Sequence, residues 1–172
     1  MSANSNIFLI GPMGSGKSAV GKKLANDLKL EFHDSDDAIE ERTGVDIPFI
    51  FEKEGEAGFR KREADVIAEL IELQNIVLAT GGGAVENLVS RSKLASKGTV
   101  IYLFTSVAQQ ADRTRKSRNR PLLNDGDPVA VLERLMALRD PQYQEIADIT
   151  VDTDGRKVAA VVKEIKQKLG SE

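Results

Sequence analysis

The stretch Ile7-Phe8-Leu9-Ile10-Gly11-Pro12-Met13-Gly14-Ser15-Gly16-Lys17-Ser18 runs directly into the helical pattern Ala19-Val20-Gly21-Lys22-Lys23-Leu24-Ala25. An apolar strand, a glycine-rich loop and a helix whose first turn carries Lys and Ser meet the full G-x-x-x-x-G-K-[ST] pattern of a P-loop. The spacing predicts that successive backbone N–H groups converge on an anion, reinforced by the positive end of the helix. Lys17 is then expected to reach the β- and γ-phosphates of a nucleoside triphosphate. The Ser18 hydroxyl is expected to ligate Mg²⁺.

The composition sets the bounds around this loop. With 172 residues, 41% hydrophobic, the chain is long enough for one domain spanning 1–172 with its own core. It has no cysteine, which excludes disulfides and thiolate metal sites and fits a reducing cytoplasm. The polar start Met1-Ser2-Ala3-Asn4-Ser5-Asn6 leads straight into the first strand, so no secretory signal is expected. No apolar run approaches the roughly 20 residues of a membrane span, and a net charge of −3 argues against bulk nucleic-acid binding.

Moving outward, Leu30 to Asp34 reads as a short second strand with an acidic tip, Asp34-Ser35-Asp36-Asp37. In open α/β sheets the ligand site lies at the carboxyl ends of the strands, so this tip is expected to face the phosphates. Asp34 is a candidate for Mg²⁺ or its water shell, and Asp36 for the group being phosphorylated. The same residues are ordinary N-caps for the helix suggested by Ala38 to Arg42, and local sequence leaves both readings open. His33, the only histidine, reads as a strand residue.

Residues 46–58 suggest a short helix and a glycine corner at Gly55 and Gly58. A longer helix follows, on which Phe59, Glu63, Val66, Ile67, Leu70 and Ile71 recur at helical steps. Arg60 is placed in its first turn, against the helix dipole; a ligand or a pairing with Glu63 or Glu56 would each account for it. Gln74 to Ala79 reads as a buried central strand ending in Thr80-Gly81-Gly82-Gly83, a place where a ligand would approach the main chain closely. Helix 86–96, strand 99–104 and a helix capped by Ser106 and running to Thr114 come next. Between Arg113 and Arg120 stand five cations and no acid, the composition of a closing lid over a triphosphate. A helix from Pro128 to about Asp140 is expected to bury Val129, Val131, Leu132, Leu135, Met136 and Leu138, with Arg139 at its end, where a cation needs no function. A last strand at 149–151 and an amphipathic helix 158–169 complete an α/β fold, a parallel sheet with helices on both faces.

Taken together, Gly11 to Ser18, Asp34-Ser35-Asp36, Phe59-Arg60, Gly81-Gly82-Gly83, Arg120-Pro121-Leu122-Leu123 and the Arg139 region make the chain resemble the shikimate kinase family over its whole length. The resemblance implies a three-layer αβα P-loop fold with a five-stranded parallel sheet of the nucleoside-monophosphate-kinase type. It also implies a substrate-binding segment near 33–63 and a lid near 113–125. The implied activity is ATP- and Mg²⁺-dependent phosphorylation of the shikimate 3-hydroxyl by a cytoplasmic monomer. Gly14, Ser15, Gly16, Lys17, Ser18 and Ala19 would hold the nucleotide phosphates, with Arg120 of the lid meeting them, and Arg113 and Arg156 would lie near the adenine. Asp36, Arg60, Gly82 and Arg139 would bind shikimate, with the bare backbone of Gly81 to Gly83 letting the ring lie close. Lys17, Asp36 and Arg120 are the catalytic candidates, and Ser18 and Asp34 the metal candidates. A kinase for another polyol acid or a nucleotide is the nearest rival reading. A GTPase-type switch is the rival from another class; against it, no Asn-Lys-x-Asp is present and the only Asp-x-x-Gly, Asp152 to Gly155, follows the last strand.

Overall fold

The structure is a computed structural model and describes residues 6–115, 123 and 126–170. Strands β1 (Ile7–Ile10), β2 (Glu31–Asp34), β3 (Ile76–Ala79), β4 (Thr99–Phe104) and β5 (Ile149–Asp152) form one sheet in the order β2-β3-β1-β4-β5. Every pairing is parallel.

The near-continuous apolar runs predicted as central strands are buried on both faces because alternate side chains enter two different cores. Phe8, Ile10, Ile76, Leu78, Val100 and Tyr102 face one core. It is covered by α2 (Ser35–Thr43), α3 (Ile47–Leu70), α4 (Leu88–Lys97) and α6 (Pro128–Ile146). Ile7, Leu9, Val77, Ile101, Leu103 and Val151 face the other core, covered by α1 (Lys17–Leu28) and α7 (Val158–Lys168). Helix α5 (Val107–Thr114) packs beside α6. This is the expected three-layer αβα arrangement.

β1 is central, with β3 on one side and β4 on the other, so the chain order reverses direction across it. Such a switch point opens a crevice at the carboxyl ends of the strands. Into it run the loop after β1, Asp34 at the end of β2 with Asp36 just beyond, and Thr80 to Gly83 after β3.

Three local expectations are corrected. The span of α3 is two helices joined by a kink at Gly55, whose φ of 74° and ψ of 179° are non-helical, so the expected short helix and glycine corner are present; the second helix starts directly after Gly55 rather than at Phe59, which puts Arg60 just past its first turn. Helix α6 does not stop near Asp140 but continues through Pro141 to Ile146. Pro141 supplies no N–H to the preceding turn, yet the helix persists because Tyr143 and Ile146 beyond it are buried in the first core. Arg139 is thus a mid-helix residue only 3% exposed, and the reading of a cation resting at a helix terminus does not apply. Of the residues assigned to the apolar side of α6, Val131 and Leu132 are buried, whereas Val129 and Leu138 are exposed, because the helix presents only a narrow stripe to the sheet.

Candidate active site

A cavity of about 300 Å³ is lined by Met13, Gly14, Gly16, Lys17, Ser18, Ala19, Asp34, Asp36, Thr80, Gly81, Gly82 and Arg113. Gly16 is the N-cap of α1, at a φ of 87°. That left-handed conformation disfavours a Cβ. The cap offers no side-chain acceptor and the first turn holds no acid, so the helix end is left for an outside anion. The Lys17 ammonium donates to the carbonyls of Gly11 (2.6 Å) and Pro12 (2.9 Å) and to Ser15 Oγ (3.3 Å). These bonds hold its charge at the mouth of the loop.

Asp34 caps α2, one of the two readings of the acidic tip, and still turns an oxygen to the other metal candidate, Ser18. One oxygen, Oδ1, caps α2 by accepting from the N–H groups of Asp36 (2.9 Å) and Asp37 (3.2 Å). The other, Oδ2, accepts from Ser18 Oγ at 2.6 Å. Capping therefore fixes the rotamer that brings the two candidate metal oxygens together, and it places the half-buried Asp36 in the first turn of α2, on the cavity wall.

The triple glycine forms a shelf between side chains from three helices. A Cβ on Gly81 would lie 2.7 Å from Glu63 Oε2 and 2.9 Å from Asp36 Oδ1. One on Gly83 would lie 2.5 Å from an Arg60 guanidinium nitrogen and 2.7 Å from one of Arg139. None of the three has a positive φ; what they supply is room. Arg60, Arg139 and Asp36, far apart in sequence, are thereby brought to one shelf, with Gly82 against Met13 of the P-loop.

Both arginines are held by carboxylates of the chain. Arg60 donates to Glu63 Oε1 (2.9 Å) and Glu56 Oε2 (3.3 Å), so the pairing predicted as an alternative to a ligand role is present. Arg139 Nε donates to Glu86 Oε2 at 2.6 Å. One Arg139 terminal nitrogen and Glu63 Oε2 are buried and have no hydrogen-bond partner among the described residues, an arrangement that costs free energy unless a ligand completes it.

Glu63 was legible only as a helical step on an apolar stripe, and its burial gives it a second property. Loss of water raises its pKa, an effect larger than the opposing pull of Arg60. The folded state thus keeps this proton to higher pH than the unfolded chain, whose value is near 4.5. The contribution to stability is fully present below that value and is lost as pH rises through the folded-state pKa. Glu63→Gln is expected to flatten this part of the stability profile; an unchanged slope of Tm against pH above 4.5 refutes it.

The remaining candidates divide. Arg113 donates to Gly14 O (2.8 Å) and Thr153 O (3.0 Å), tying the P-loop to the turn after β5 and lining the cavity. Arg156 is not on the cavity wall; its guanidinium donates to Asp152 O, Ala160 O and Glu164, bracing the start of α7. Arg120 and most of the expected lid lie outside the described residues. Sequence reading missed Glu86 and Tyr143. The signal for Glu63 was an acid at a core step of a helix, but Glu86 and Tyr143 carry no comparable local mark.

A family model for shikimate kinase matches residues 13–170 of this chain. The shikimate kinase of Shewanella oneidensis is 53% identical over 170 residues, covering 99% of each chain. That of Francisella philomiragia is 58% identical over 161 residues, covering 93% of this chain and 92% of the relative. The solved structure of shikimate kinase from Acinetobacter baumannii in complex with shikimate superposes with a TM-score of 0.95 at 46% identity, over 97% of this chain and 93% of that one.

Proposed function

The chain belongs to the shikimate kinase family, and from that premise we propose that its site residues divide phosphoryl transfer between two ends of one cavity. The reaction moves the γ-phosphoryl group of ATP to the 3-hydroxyl of shikimate, giving shikimate 3-phosphate and ADP on the route to chorismate and the aromatic amino acids. The observation that carries the assignment of roles is the shelf at Gly81 to Gly83, where Asp36, Arg60 and Arg139 converge beside the P-loop.

At the nucleotide end, Gly14 to Ala19 hold the phosphates through backbone N–H groups and the α1 terminus, and Lys17 places its charge on the terminal phosphates. Arg113 braces this loop. Mg²⁺ fits Ser18 and Asp34: it takes few protein oxygens and completes its shell with water and phosphate oxygens. When bound, the ion offsets charge on the transferring phosphates.

At the other end, the guanidinium forks of Arg60 and Arg139 grip the shikimate carboxylate, a charge-assisted and planar match. This turns the ring so that its 3-hydroxyl meets Asp36. The hydroxyl oxygen forms a bond to the γ-phosphorus as the bond to the bridging oxygen of ADP breaks, and Asp36 takes or steers the hydroxyl proton. Arg120 would close over the phosphates.

The decisive experiment is a coupled ADP-release assay with shikimate, gluconate and nucleosides as acceptors. Turnover with shikimate alone is expected; no ADP above background at saturating ATP and Mg²⁺, or preference for another acceptor, overturns the proposal. Arg139→Ala is expected to raise the shikimate KM by roughly 10- to 150-fold, the equivalent of one charged contact of about 1.5–3 kcal/mol, and to leave the ATP KM nearly unchanged. Arg60→Ala acts in the same direction but less, because Arg60 is 21% exposed and Arg139 only 3%. Unchanged shikimate kinetics remove either residue from the site. We further propose that the protein acts as a monomer in the cytoplasm; a chain with no cysteine suits that reducing compartment. Among the described residues no helix is long and apolar enough to cross a membrane.

A further inference from the structure

Three consecutive glycines give a segment little intrinsic reason to hold one shape, so each peptide of the shelf must be fixed from outside. The carbonyls are all accounted for. Gly81 O accepts from the N–H of Ala84 and Gly83 O from that of Glu86, both at 3.1 Å, through the short 3-10 turn Ala84–Glu86. Gly82 O accepts instead from a side chain, the Tyr143 hydroxyl, at 2.6 Å. The N–H groups of Gly82 and Gly83 donate to no acceptor among the described residues. A trans peptide points its C=O and N–H in opposite directions, and no cis bond occurs among the described residues. Holding Gly82 O therefore fixes the direction of the Gly83 N–H, at the residue where the guanidinium groups of Arg60 and Arg139 meet.

We propose that Tyr143 is a positioning residue for the acceptor: by holding the Gly82 carbonyl it turns the Gly83 N–H toward the substrate carboxylate, as a third donor beside Arg60 and Arg139. The inference rests on the placement of that carboxylate proposed above. Tyr143 suits this role. It is fully buried and stacks on Tyr102 with ring centroids 4.8 Å apart. Burial raises its pKa, outweighing the opposing charge of Arg139, so the hydroxyl stays protonated and remains a donor. It also lies one helical turn after Arg139 on α6. One rigid element thus sets both the cation and the backbone donor, and this is what the continuation of α6 past Pro141 achieves.

The test is Tyr143→Phe, which keeps the ring and its packing, with Tyr102→Phe as the control. Tyr102 is equally buried, and its hydroxyl donates to Asp140 Oδ1 at 2.6 Å rather than to a shelf carbonyl. Tyr143→Phe is expected to raise the shikimate KM by about 3- to 10-fold, the loss of one neutral hydrogen bond's influence, with the ATP KM unchanged. The effect on kcat/KM should fall to within about twofold for the shikimate analogue bearing a carboxamide in place of the carboxylate. Tyr102→Phe should lower Tm without changing the shikimate KM. In the unaltered enzyme, the Gly83 amide proton resonance should move downfield on adding shikimate.

An unmoved Gly83 resonance overturns the proposal whatever the variants do. So does a Tyr143→Phe enzyme with an unchanged shikimate KM, or one whose ATP and shikimate KM values rise together, as general loosening would cause. Failure of the unaltered enzyme to phosphorylate shikimate would instead remove the underlying assignment of function, so the two failures are distinct.

Discussion

Asp36→Asn is expected to lower kcat by about 10²- to 10⁴-fold while the shikimate KM changes far less. The amide keeps the volume and the capability of hydrogen bonding, but it cannot accept a proton from the attacking hydroxyl. The backbone N–H of Asp36 donates to Asp34 Oδ1 at 2.9 Å, and its side chain stands over Gly81, where a Cβ would lie 2.9 Å from Asp36 Oδ1. Glu63 Oε2 approaches the same point, so the carboxylate works beside a second acid whose burial favours the protonated form. Because phosphoryl transfer is loose and largely positional, the size of the kcat effect separates deprotonation from orientation. Steady-state kinetics at saturating ATP decide the matter. An effect confined to KM would reduce Asp36 to a group that holds the substrate, and unchanged values of both would remove it from the site.

Lys17→Ala is expected to lower kcat by about 10²- to 10³-fold, the usual consequence of removing one preorganised charge from a developing anion. Shikimate affinity, read by equilibrium titration, should stay close to its original value, because the shelf and the P-loop meet only at their edges. The ammonium is bonded to two loop carbonyls and Ser15 Oγ, so the substitution also unties the loop, and Tm should be measured beside kcat. Lys17→Arg should not restore the rate: a planar fork has a different shape from a compact ammonium and cannot use the same carbonyls in the same way. A kcat within tenfold of the original for Lys17→Ala would contradict the role given to this residue.

The P-loop was legible because everything it needs is contiguous. Strand, glycines, Lys17 and Ser18 lie within a dozen positions, and local spacing alone carries the geometry. Asp34 was legible as two alternatives, cap and metal group; the fold shows the cap and, because a carboxylate has two oxygens, leaves the second one on Ser18, where the proposed metal role would need it. The shelf was legible only through a family resemblance. Nothing near Arg139 in sequence marks it as buried, and local reasoning placed it at a helix end because Pro141 looked like a stop. Burial of Tyr143 and Ile146 overrode that signal, and the same burial brought Tyr143 to Gly82.

By itself, then, the sequence determined the alternation of strands and helices, the two-sided burial of the central strands and the anion-binding loop, since each depends on side-chain period or on neighbours along the chain. Only the tertiary structure decided that Glu63 and Glu86 pair with Arg60 and Arg139, that Tyr143 bonds Gly82, that Arg139 is buried in mid-helix, and that Arg156 braces α7. These outcomes depend on which elements stand side by side at the carboxyl edge of the sheet. A parallel sheet brings residues from distant loops to one edge, and whether a polar group there is solvated or enclosed is set by its neighbours in space.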